Sequence, residues 1–222
     1  TYKDNPDILM LAETDNTYPK LMGCLHPIQR NELLDELIAS AKINVTHIYL
    51  AQLIKHNLVD YVLTTNFDNL MLRALALFDI FPPVHDLTSI SDFTTTTIKD
   101  GSVVYLHGRH NGTWLLNTDE EMTKVKAIVP RIFDTIKNKR PWIFLGYSGN
   151  DPIFEHIKNL GRFDNGLYWV GHDDYLPSEE VQKFLNRPNT NTHFIKGYDA
   201  DAFMLKLNHA LGLQQPDILD KP

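Results

Sequence analysis

The chain has 222 residues, enough for one sizeable α/β domain and short for two. Hydrophobic residues make up 43% and charged residues 22%, an ordinary balance for a soluble globular protein, and no apolar run approaches the length of a membrane span. The net charge of −7 argues against a broad nucleic-acid-binding surface, so no direct nucleic-acid contact is expected. The single cysteine, Cys24, excludes an internal disulfide and a cysteine-based zinc site, and reads as a buried small hydrophobe. With no signal-peptide character at the start, these features point to a cytoplasmic protein.

In chain order, "HPIQRNELLDELIAS" and "THIYLAQLIKHNL" carry apolar residues at helical spacing, with Thr46 the expected N-cap of the second. Strand "YVLTT" leads into helix "DNLMLRALAL", a loop-rich stretch with "PPVHDL" and strand "SVVYLHG". "TDEEMTKVKAIVPRIFDTIKNK" opens on a capping box, Thr118 with Glu121, and Pro130 is expected to kink or divide that helix. Then come strand "PWIFLGY", a helix from Pro152 with Asp151 as cap, strand "GLYWVGHDD", a short helix from Pro177, strand "HFIKGY" and helix "DADAFMLKLNHALG". The strands are near-continuous apolar runs, as in a sheet covered on both faces. Their alternation with helices predicts an α/β fold with a Rossmann-like, doubly wound, mainly parallel sheet.

Three strands end on polar or glycine-rich residues that no core requires. "VLTTNFDNL" stops at Thr65, Asn66 and Asp68, "VVYLHGRHNG" breaks at His107, and "WIFLGYSGNDP" breaks at a turn with Gly146, Ser148 and Asn150. In doubly wound sheets ligands sit beyond the carboxyl ends of the strands, so these endings are expected to share one site.

The ordered set of motifs resembles a sirtuin (Sir2-type) domain from about residue 27 to about residue 212. "INVTHIYLAQLIKHNLVDYVLTTNFDNL" is similar to the segment in which a helix leads to a strand ending T-x-N-x-D. "YLHG" is similar to the strand end with the catalytic histidine, "FLGYSGND" to the turn on the cofactor's adenosine side, and "FIKGYDADAFMLKL" to the closing strand and helix. The spellings T-T-N-F-D and G-Y-S-G-N-D are closest to the sirtuin-like domains of bacterial anti-phage proteins, a branch associated with NAD hydrolysis.

The resemblance implies an NAD glycohydrolase that uses NAD as substrate and no metal, releasing nicotinamide and ADP-ribose. The catalytic residues it implies are Asn66 and His107; Thr65, Asp68, Gly146, Ser148 and Asn150 would bind the cofactor. Cleaving the nicotinamide–ribose bond passes through an oxocarbenium-like state. Asn66 would hold a water beside the anomeric carbon, His107 would take a proton from the water or a ribose hydroxyl, and Asp68 would accept from the nicotinamide amide. Gly146 and Ser148 would let the backbone approach the adenosine half.

Bland readings stand beside these. Asp68 caps the next helix, Asn66 is a turn residue, His107 is structural, His47 hydrogen-bonds within the fold, and "GHDD" is a solvated loop. His107 and His110 have a metal-like spacing but lack carboxylate partners.

Two departures from the family are visible. The zinc small domain, built on C-x-x-C pairs, is absent, which disfavours protein deacylation. The opening strand with its G-A-G-x-S phosphate turn is also absent from this chain, where the earliest glycine is Gly23. Residues 1–212 are therefore expected to form a sirtuin-like domain incomplete at its N-terminus, with 213–222 a tail or linker. Such a chain is expected to be inactive alone, to oligomerise or use a partner protein, and to be independent of a membrane. The alternative is a non-catalytic sirtuin-like module that binds ADP-ribose-like nucleotides or partner proteins.

Overall fold

The structure, a computed structural model, describes residues 2, 4–11, 18–90, 98–110, 112, 123, 126–216 and 218. Helices α1 (Pro6–Leu9), α2 (Tyr18–Gly23), α3 (Pro27–Ser40) and α4 (Val45–Lys55) precede the first strand, β1 (Tyr61–Thr64). There follow α5 (Leu70–Ala76), β2 (Val84–Asp86), β3 (Ser102–Tyr105), α6 (Val129–Ile136), β4 (Trp142–Phe144) and α7 (Ile153–Lys158). β5 (Leu167–Val170), α8 (Glu179–Leu185), β6 (Thr192–Ile195) and α9 (Ala200–Ala210) complete the order. None of the described helices is by itself long and apolar enough to cross a membrane.

Among the described residues the paired strands run parallel and form two three-stranded sheets, ordered β1-β3-β2 and β4-β5-β6. β3 is buried throughout and its side chains alternate between two cores. Val103 and Tyr105 pack with Ala51 and Ile54 of α4 and Met71, Ala74 and Leu75 of α5. Val104 and Leu106 pack on the other face with Ile132 and Phe133 of α6, Ile153 and Phe154 of α7, and Leu167 and Trp169 of β5. This two-sided burial is why the β3 sequence reads as an unbroken apolar run. The second core unites the two sheets, since Tyr61 and Leu63 of β1 and Trp142 and Phe144 of β4 pack against it as well.

β1 and β4 nevertheless do not pair with each other. Asp60 O accepts from Gly101 N and Thr64 O accepts from Leu106 N, so the even-numbered residues of β1 face β3. Tyr61 and Leu63 therefore turn their backbone groups the other way. Trp142 N donates to Gly166 O on the β5 side, which leaves Ile143 of β4 turned away from β5. Side chains tie the two strands together at their amino ends. Arg140 Nε donates to Asp60 Oδ2 at 2.7 Å, and Lys139 bonds the hydroxyl of Tyr61.

Several expectations need correction in detail. α4 begins at Val45, so its N-cap is Asn44, whose Oδ1 accepts from His47 N at 3.2 Å. Thr46 is the second residue of the helix, and its own N–H donates to Asp201 Oδ1 at 2.8 Å. Pro130 stands in the first turn of α6, where a helix lacks a partner for that N–H anyway, so a helix starts afresh there. The Thr118–Glu121 capping box lies outside the described residues. The stretch "PPVHDL" contains strand β2, in register with β3 from Val84 opposite Val103 to Asp86 opposite Tyr105. Cys24 is half-buried, since it follows the last turn of the short helix α2.

Candidate active site

The β1–β3 register places Thr64 opposite Tyr105. Asn66 and His107, each two residues further on, thus leave neighbouring strands at the same carboxyl edge. The ladder continues into the loops, where His110 N donates to Phe67 O at 2.7 Å. Asn66 is exposed, and its N–H donates to Thr64 Oγ1 at 3.0 Å, which bends the chain away from the strand and leaves the amide side chain free of that turn. Thr65 is half-buried beside it. Asp68 Oδ1 accepts from Leu70 N, the first residue of α5, at 2.9 Å, in a turn just before the N-cap Asn69. The Asp68 carbonyl accepts from the buried hydroxyl of Tyr105 at 2.9 Å, which pins the loop to β3.

His107 is held differently. Its side chain is 11% exposed, and its buried Nε2 has no hydrogen-bond partner. Burial disfavours the imidazolium and pulls the pKa below its ordinary value, while the nearby Asp151 carboxylate pushes the other way. A buried neutral imidazole with a free nitrogen is suited to accept a proton. The Phe67 ring lies 6.2 Å from the His107 ring and covers one side of it. His110 turns away to Asp35, so the two histidines of "HGRH" do not act together.

The third strand ending builds a cavity. Gly146 has φ +61 and Gly149 φ +72, both in the left-handed region. A Cβ at Gly149 would meet Val181 Cγ2 at 2.7 Å, so only glycine lets the turn lie against α8 and Trp169. Ser148 Oγ accepts from Asn150 N at 3.3 Å and sharpens the turn. The cavity beyond it has a volume of about 620 Å³, within the usual range for small-molecule sites. Gly146, Ser148 and Asn150 line it, together with Trp169, Tyr175 and Asp201. A ring, hydroxyls, an amide and a carboxylate give the cavity both donors and acceptors. Asp201 is already engaged with Thr46, which fixes the α4 and α9 ends of the wall.

The seven residues singled out from sequence thus fall into two groups. Gly146, Ser148 and Asn150 share the cavity, whereas Thr65, Asn66, Asp68 and His107 stand at the β1–β3 edge and do not line it. Asp151 joins the groups, since it follows Asn150 and its Oδ1 lies 4.0 Å from His107 Nε2. Sequence alone points to Asp151 only as a cap; the N-cap is Pro152, and Asp151 one residue earlier accepts from Ile153 N at 2.8 Å. Tyr147 and Tyr175 also line the cavity and carry no signal in the sequence, Tyr147 because it ends the run "PWIFLGY" and Tyr175 because it stands in the loop after "GHDD". "GHDD" is solvated, with His172 and Asp173 side chains 75% and 63% exposed, and His172 also lines the cavity. His47 bonds Asn44 at the start of α4, as expected of a histidine used within the fold.

No curated protein matches the chain. Among solved structures, a Sir2 histidine-to-tyrosine mutant with a p53 peptide and NAD is similar in fold, with TM-score 0.51 and 16% identity over 84% of this chain and 80% of that one. A sirtuin solved for the structural basis of substrate affinity gives TM-score 0.50 and 16% identity over 90% and 86%. At such identities the likeness concerns the fold, a sirtuin-like Rossmann type. The sequence itself matches the SIR2-like domain family over residues 60–193, more than half of the chain, from the residue before β1 into β6. The chain belongs to the SIR2-like domain family, which uses NAD as substrate.

Proposed function

We propose that this chain is an NAD glycohydrolase domain of the anti-phage branch of its family, cleaving NAD to nicotinamide and ADP-ribose. The observation that carries the reading is His107, whose unpartnered buried Nε2 stands at the same sheet edge as Asn66. The nicotinamide–ribose bond breaks with its electron pair leaving on nicotinamide. Asn66 orients a water towards the anomeric carbon, and His107 takes the proton that this water loses. The adenosine half lies over the Gly146–Asn150 turn in the cavity. No metal takes part, and the domain works as a homo-oligomer or with a partner protein in the cytoplasm.

The test is nicotinamide release by the intact parent protein. His107→Ala and Asn66→Ala are each expected to lower it by roughly 10²–10⁴-fold with the fold retained. Near-normal release by either variant removes that residue from the mechanism. A second reading, a module that binds ADP-ribose-like nucleotides without turnover, is favoured by the fact that the cavity is not lined by His107 or Asn66. Calorimetric binding of ADP-ribose by a parent protein that releases no nicotinamide would select it.

A further inference from the structure

His107 is linked to the turn that borders the cavity by the Asp151 carboxylate. Asp151 Oδ1 lies 4.0 Å from His107 Nε2, beyond a hydrogen bond and within ion-pair range. Asp151 cannot swing freely. The same Oδ1 accepts from Ile153 N at 2.8 Å and from the Tyr147 hydroxyl at 3.0 Å, which fixes the carboxylate on the turn between β4 and α7. The charge and the imidazole therefore come from different sheets. Around His107, the β1–α5 loop contributes Phe67, which does not titrate, and its chain neighbour His110 is taken up by Asp35. The Asp151 carboxylate is the charged group that raises the His107 pKa against the effect of burial.

From this geometry we infer that Asp151, held by Tyr147, is the positioning residue of His107: it orients the imidazole and stabilises the imidazolium formed as the water is deprotonated. The inference rests on the glycohydrolase reading above. The proton moves from the attacking water to His107 Nδ1 and later to solvent, while Nε2–H faces the Asp151 carboxylate. The Tyr147 hydroxyl stays protonated, because burial and the adjacent carboxylate push its pKa well above the ordinary tyrosine value. A distance of 4.0 Å before substrate binds suits such a role, since catalytic hydrogen bonds are often long in the free protein and tighten on closure.

Asp151→Asn preserves the shape and the acceptor for Ile153 and Tyr147 while removing the charge. In the intact parent protein this variant is expected to lose roughly 10–10²-fold in kcat with little change in KM, as when an outer-shell partner of a functional histidine is removed. At the same time the acid limb of kcat/KM should move to lower pH, because a histidine without its carboxylate protonates less readily. A defect of packing alone does not combine a slower reaction with that shift. Asp151→Glu should recover part of the rate.

The companion measurement is the His107 titration by NMR of ring-labelled histidine in the free protein, wild type against Asp151→Asn. The expected result is a lower His107 pKa in the variant. An unchanged titration, or an unchanged acid limb, overturns the assignment of Asp151. The NMR reading does not depend on turnover, so it still tests Asp151 if His107→Ala proves that His107 is not the base.

Discussion

His47, His85, His107 and His156 are all held below the ordinary histidine pKa, in each case chiefly by burial. Their unfolded counterparts protonate more readily, so between the folded values and about pH 6.5 the unfolded chain binds more protons. The stability these neutral rings carry is complete above the unfolded pKa and is lost as pH falls below it. Melting temperature should therefore drop between pH 7.5 and pH 5.5, and His107→Gln should flatten the drop. An identical slope in that variant would show that His107 does not titrate in the window. The depressed carboxylates, Asp100 and Glu180, lie outside this window because their stabilisation is lost only on further acidification. At this scale Asn66 and His107 were legible, because polar residues ending apolar strands have no reason in the core. Asp151 was legible only as a cap, since its distance to His107 is set by two sheets meeting and not by any local pattern.

The turn between β4 and α7 shows how an element's sequence is dictated by its neighbours. Gly149 has both a left-handed backbone and a Cβ position blocked by Val181 and Trp169. Gly197 also has a left-handed backbone, φ +81, but open space around its Cβ position. Gly149→Ala should cost more than the roughly 1–3 kcal/mol expected for a left-handed alanine, and Gly197→Ala should stay within that range. Denaturant titration of both variants checks the order, and equal losses would mean that α8 yields to the added methyl. Most elements were legible because each strand or helix carries its own period. The exceptions have particular causes. Strand β2 is only three residues long and follows two prolines, so "PPVHDL" reads as a loop until β3 pairs with it. The start of α4 is shared between Asn44 and Asp201, and the latter sits in another helix.

In the whole molecule, the two sheets share one core but meet at strands β1 and β4, which have no strand between them among the described residues. The alternation of backbone groups turns Tyr61, Leu63 and Ile143 towards that gap. Amide hydrogen exchange should consequently be faster at Leu63 and Ile143 than at Val104 and Trp169, which lie in the central strands β3 and β5. Uniform protection across all four would show that the gap is closed in solution. The gap also governs how another chain can approach. A bare outer edge invites a second folded sheet to lie against it. Here each bare edge is screened by the opposite half-sheet, with Asp60–Arg140 and Tyr61–Lys139 bridging the amino ends. A single extended segment running the same way as both flanking strands and apolar on both faces would pair with both bare edges and weld the halves into one continuous sheet, with slowed exchange at Leu63 and Ile143 as its signature.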